Sequence, residues 1–99
     1  MPTPKLATVE NLKVPPHSLE AEQAVLGGLL LSSRAWDAIA DVITDQDFYR
    51  EDHRLIFRAV ADLSDGGKPC DAVTVTEWFE SRGQVEQVDG GAYISQLAS

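Results

Sequence analysis

His17, His53 and Cys70 are the side chains of this 99-residue chain best suited to ligate a metal or to act as base or nucleophile. They lie far apart in sequence, whereas a zinc site gathers about four ligands in one cluster. His53 near Asp47 and Asp52 is one arrangement a metal could use. A histidine at a helix start, bonded to a nearby carboxylate or carbonyl, is the plainer arrangement and the expected one. Ser64 adjoins Asp65 with no histidine close by in sequence, so no serine-nucleophile constellation is legible. No Gly-x-x-x-x-Gly-Lys-Ser/Thr segment occurs, which excludes nucleotide binding by that loop. Gly-Gly recurs at 27–28, 66–67 and 90–91, never with dinucleotide-binding spacing after a strand. Packing or capping is the expected role of these pairs. Arg50, Arg54 and Arg58, four residues apart, share one helical stripe. They could serve as an anion or nucleic-acid patch. The expected alternative is an exposed face, with Arg58 paired to Asp62 at i+4 and Glu51, Asp52 and Asp62 diluting the charge.

Acidic residues outnumber basic ones 16 to 8, for a net charge of −8. This argues against DNA or RNA as the main partner, because phosphate binding needs a cationic face. It favours solubility and rapid steering of a basic protein partner. Hydrophobic residues make up 43% of the chain, which excludes a wholly disordered polypeptide. A single cysteine allows no internal disulfide, and no signal peptide is apparent, so the expected compartment is the reducing cytoplasm. The longest apolar run, Ala24 to Leu31, falls well short of the roughly 20 residues of a membrane span.

The elements that would position these groups follow from periodicity. Residues 1–16, with Pro2, Pro4, Pro15 and Pro16, read as a flexible tail, leaving a domain over 17–99. Ser18 is placed to cap a first helix over about 19–31, with Glu20 and Glu22 near its positive end. Leu19, Val25, Leu26, Leu29 and Leu30 form its apolar face. Gly27-Gly28 costs about 1 kcal/mol per residue in a helix interior, so close approach of another helix is expected there, with a kink or helix end as the alternative. Trp36, Ile39, Ala40 and Ile43 set a second helix from about Ser33, and Phe48 is expected to plug the core from the following loop. Ile56, Phe57, Ala59, Val60 and Leu63 set a third, stopped by Gly66-Gly67-Lys68-Pro69. Ala72-Val73-Thr74-Val75-Thr76 alternates as a strand could, but Thr74-Val75-Thr76-Glu77 matches a capping box and predicts a fourth helix over 75–82, presenting Val75, Trp78 and Phe79. Val85 and Val88 mark a short turn, and Asp89-Gly90-Gly91 leads into a last helix with Tyr93, Ile94 and Leu97. The expected class is all-α, a compact bundle of about five to six helices. Its predicted core is Leu26, Leu30, Trp36, Ile39, Ile43, Phe48, Ile56, Phe57, Val60, Leu63, Phe79, Ile94 and Leu97.

Four segments, in order, resemble the N-terminal domain of the bacterial replicative DNA helicase, the DnaB family. They are Pro15-Pro16-His17-Ser18-Leu19-Glu20-Ala21-Glu22-Gln23-Ala24-Val25-Leu26-Gly27; Asp47-Phe48-Tyr49 with His53 and Ile56-Phe57; Asp71-Ala72-Val73-Thr74-Val75; and Gly90-Gly91-Ala92-Tyr93-Ile94 with Leu97-Ala98. Each is weak alone, but the ordered set covers roughly 15–99.

The resemblance implies a parent protein that is a ring-shaped hexameric helicase using ATP and Mg. Its N-terminal domains would form a collar of paired subunits that docks primase and contacts loader proteins. DNA would be contacted mainly by the motor domain. This chain would be the globular head without the family's C-terminal helical hairpin, with no catalytic residue, metal or cofactor of its own. The family's primase-contact surface maps onto Glu20 and Tyr93. Glu20 suits a basic partner, and tyrosine offers an apolar face with a polar tip; equally, Glu20 could serve only the helix dipole and Tyr93 only the core. Alanine at either position is expected to weaken primase binding with the fold intact. The alternative from a different class is a free-standing acidic helical adaptor for another basic protein. A phosphate loop encoded after Ser99 would discriminate the two.

Overall fold

Ser18 has extended backbone (φ −143°, ψ 119°), and its hydroxyl accepts the Ala21 N–H at 3.2 Å. That bond satisfies one of the free donors at a helix start, and helix α1 runs over Leu19–Leu31, the range its pattern predicts. A computed structural model describes residues 18–99; the tail expected over 1–16, and His17, lie outside the described residues. Ser32 is extended and separates α1 from α2, Ser33–Ile39. Helix α2 is shorter than its apolar spacing suggests, because the backbone turns after Ile39. It lies along the rim of the domain, so Trp36, Ile39 and Ile43 are half-buried against the core instead of central to it.

A 3-10 turn over Asp45–Asp47 follows, closed by the Asp47 carboxylate accepting the Thr44 N–H at 2.8 Å. It delivers Phe48 to the interior, 4% exposed, with its ring 5.1 Å from that of Phe57. Helix α3, Glu51–Asp65, buries His53, Ile56, Phe57, Ala59, Val60 and Leu63 along one face. It stops at Gly66-Gly67, where Gly67 takes φ +69°, a conformation glycine adopts without a Cβ penalty.

Helix α4 spans Ala72–Ser81 and starts three residues before its expected position. Thr74 is not the cap. Asp71 is, accepting the Thr74 N–H at 2.9 Å while the Thr74 hydroxyl accepts the Asp71 N–H at 2.8 Å. Aspartate is at least as good an N-cap as threonine, and the earlier start brings Val75 into the core. A 3-10 turn over Val85–Val88 buries Val88 and leads through Asp89, at φ 60°, into helix α5, Gly90–Leu97.

Among the described residues there are five α-helices and no strand, so the domain is all-α. Helix α1 lies against both α3 and α5. The close approach expected at the glycine pair is real at one member. A Cβ on Gly27 would stand 2.4 Å from the Leu97 carbonyl oxygen, whereas Gly28 has nothing within 4 Å. Leu26, Leu29, Ile56, Val60, Val75, Phe79, Val88 and Ile94 form the most buried part of the interior. Leu19, expected on the apolar face of α1, is instead 42% exposed at the helix start.

Candidate functional site

A buried polar network sits where α1, α3 and α5 meet. Glu22 lies one turn before Leu26 on the inward face of α1, so the helix carries a carboxylate into the interior. His53 points inward from the first turns of α3 and is fully buried. Its Nδ1 lies 2.7 Å from Glu22 Oε1, and its Nε2 lies 2.6 Å from the Tyr93 hydroxyl. Glu22 Oε2 accepts the Tyr49 backbone N–H at 2.6 Å, and Gln23 Nε2 donates to the Tyr93 hydroxyl at 3.1 Å. The Arg50 guanidinium lies over the Tyr93 ring, 5.1 Å from its centroid, and is held by Asp52.

Burial pushes the Glu22 carboxyl up. Hydrogen bonds from the Tyr49 and Arg50 backbone and from His53 more than offset this and hold it below its usual range. The carboxylate is therefore ionised, as a group bonded by several donors should be. Carboxylate, imidazole and hydroxyl follow one another in the order of a nucleophilic triad. Here the hydroxyl is a phenol, and its hydrogen bonds run to His53 and Gln23 within the fold. Among the described residues no buried side-chain nitrogen or oxygen lacks a partner, so the chain of bonds ties three helices together.

Glu20 and Tyr93 converge. Both line an open groove of about 300 Å³ between α1 and α5, with Gln23, Ala24, Gln96 and Leu97. Glu20 is exposed on its rim, while Tyr93 is half-buried on its floor, part core and part surface. The groove is joined to the Glu22–His53 pair through the Tyr93 hydroxyl.

The other residues singled out in the sequence stay apart. His53 meets Glu22 from α1, not Asp47 or Asp52, and among the described residues no group of His, Cys, Asp and Glu could hold a metal. Arg50, Arg54 and Arg58 each have a partner within the domain. Arg54 Nε donates to the Phe48 carbonyl at 2.7 Å, and Arg58 Nε donates to Asp45 at 2.7 Å. Asp45 replaces the expected Asp62 because the 3-10 turn folds beside α3. Asp62 instead accepts the Trp78 indole N–H at 2.8 Å, and Arg82 lies over the Trp78 ring. Cys70 is half-buried in the turn between α3 and α4. Burial pushes its thiol up, a hydrogen bond with Ser64 offsets part of this, and Asp71 adds to it.

Glu22 is the residue that periodicity alone missed. Its signal was present: it falls on the Leu26–Leu29–Leu30 face, where a carboxylate needs a buried partner. No helix among the described residues is long and apolar enough to cross a membrane.

Residues 14–99 match the family described as the DnaB-like helicase N-terminal domain. The replicative DNA helicase DnaB of Buchnera aphidicola (from Schizaphis graminum) is 43% identical over 93 residues, 94% of this chain and 20% of that protein. DnaB of Geobacillus stearothermophilus is 42% identical over 86 residues, 87% of this chain and 19% of that protein. This chain therefore spans about a fifth of the length of these relatives. The crystal structure of the N-terminal domain of DnaB helicase from Mycobacterium tuberculosis superimposes with a TM-score of 0.80 at 40% identity. It covers 85% of this chain and 58% of that one. The fold, the ordered motifs and the aligned relatives agree: the chain belongs to the DnaB-like helicase N-terminal domain family.

Proposed function

We propose that this domain, over residues 17–99, is a non-catalytic scaffold of a hexameric, ATP-dependent replicative helicase in the bacterial cytoplasm. It docks primase and supports ring assembly, and helicase loaders are further partners of the same collar. ATP and Mg serve the motor domain, which also makes the main DNA contacts.

The observation that carries this reading is the convergence of Glu20 and Tyr93 on one groove between α1 and α5. The groove has a carboxylate on its rim and a tyrosine on its floor, on a chain of net charge −8. That combination suits a partner segment bearing a basic side chain beside an apolar one. The polar contacts inside the domain are already satisfied, so its free chemistry lies on this surface.

The test is binding of the cognate primase to this chain by titration calorimetry. Glu20→Gln removes the rim charge at a cost of no more than about 1 kcal/mol from the helix dipole and should weaken binding, more strongly at low salt. An unchanged affinity for Glu20→Gln removes the groove as the docking site.

A further inference from the structure

We propose that Glu22 and His53 are positioning residues for the groove: through Tyr93 they fix which end of the Gln23 amide is displayed to a partner. The inference rests on the docking reading above and names how that site is polarised.

The hydrogen atoms can be assigned link by link. The ionised Glu22 carboxylate has no proton to give, so the hydrogen of the 2.7 Å contact is on His53 Nδ1. With that single ring hydrogen on Nδ1, Nε2 is bare and accepts the Tyr93 O–H at 2.6 Å. The phenol has used its one hydrogen and can only accept from Gln23. Gln23 accordingly turns its Nε2 to the phenol, at 3.1 Å. Its Oε1 is the end left for the groove that Glu20 also lines. Two oxygens, one from the amide and one from the carboxylate, thus face the same space. A lysine or arginine side chain of the partner is the group they would receive.

One buried, near-isosteric change should reverse this polarity. In Glu22→Gln, the Tyr49 N–H that donates to Oε2 at 2.6 Å requires an oxygen at that position. The amide nitrogen of the new side chain must then face His53 and donate to Nδ1. The imidazole proton moves to Nε2 and is donated to the phenol oxygen. The phenol hydrogen turns outward, the Gln23 oxygen accepts it, and the Gln23 nitrogen becomes the end shown to the groove. No groove-lining residue has been changed.

The test has two readouts on the full chain. The first is the His53 tautomer, read from its ring nitrogen-15 chemical shifts. The wild type should carry Nδ1–H, and Glu22→Gln should carry Nε2–H. The second is primase affinity. Glu22→Gln should weaken it about fivefold to tenfold, the scale of one neutral hydrogen bond. In a Gln23→Met background, where no amide remains to turn, Glu22→Gln should have no further effect. A tautomer unmoved by Glu22→Gln, an imidazolium in the wild type at neutral pH, or an equal loss of affinity in the Gln23→Met background overturns the proposal. If Glu22→Gln fails to fold, the wild-type tautomer decides by itself: an Nε2–H imidazole there overturns the proposal. A Glu20→Gln chain that binds primase like wild type defeats the docking reading instead, and leaves the tautomer assignment standing on its own measurement.

Discussion

The Tyr93 ring lies parallel to the imidazole of His53, with an 8° interplanar angle and centroids 5.8 Å apart. The two side chains come from helices far apart in sequence, and a 2.6 Å hydrogen bond joins them.

Tyr93→Phe keeps this stacking and removes the bond. It leaves His53 Nε2 buried without a partner, at a cost of about 1–3 kcal/mol. Tyr93→Ala loses the ring contacts as well and should cost more. Urea denaturation of both variants checks the order. Tyr93→Ala therefore reports on folding as well as docking, which makes Glu20→Gln the cleaner probe of the surface.

The two adjacent glycines of α1 should respond oppositely to alanine. At Gly28 nothing stands within 4 Å of a new Cβ, so Gly28→Ala should stabilise by up to about 1 kcal/mol through helix propensity. At Gly27 the Cβ would meet the Leu97 carbonyl oxygen at 2.4 Å, a backbone atom that moves only with α5. Gly27→Ala should be destabilising despite the same gain in propensity, as thermal melting of the pair would show.

Glu22 makes the domain sensitive to acid. Its folded carboxyl is held below the usual range, so the stabilisation it contributes is full above the unfolded-state value. It is lost as pH falls through the folded value, which lies below the ordinary carboxylate range. Glu22→Gln should flatten that part of the stability–pH curve, measured by denaturant midpoints across pH 2–7 (roughly the carboxylate titration range).

The start of α4 gives a further check. Asp71→Ala removes a cap bond of 2.9 Å and should cost about 1 kcal/mol. Glu77→Ala, on an exposed part of the helix, should cost much less. Chemical denaturation of the two variants separates the observed cap from the one suggested by Thr74-Val75-Thr76-Glu77.

What could be read in the chain depended on how local the cause was. Helix α1 was legible to the residue, because Ser18 and the residues after it determine its start. Phe48 and the Gly66-Gly67 stop were legible for the same reason. The α4 start was misplaced because two overlapping capping patterns, Asp71 to Thr74 and Thr74 to Glu77, compete locally. Packing of Val75 goes with the first. Helical spacing points Arg58 to Asp62, but its partner Asp45 comes from a turn that only tertiary structure brings near. Glu22 shows the same limit. Its inward register could be seen, yet His53 lies 31 positions away and Tyr93 a further 40. Glu20 and Tyr93 were matched through family resemblance, and their sharing of one groove needed the relative placement of α1 and α5.

Cys70 is the sole thiol of the chain, and its surroundings make it a slow one. Alkylation at neutral pH should run well behind that of a free cysteine peptide and approach it in denaturant. The rate of labelling, followed by mass spectrometry, then acts as a clock for how often the α3–α4 turn opens. This gives a reporter on local breathing that needs no engineered probe.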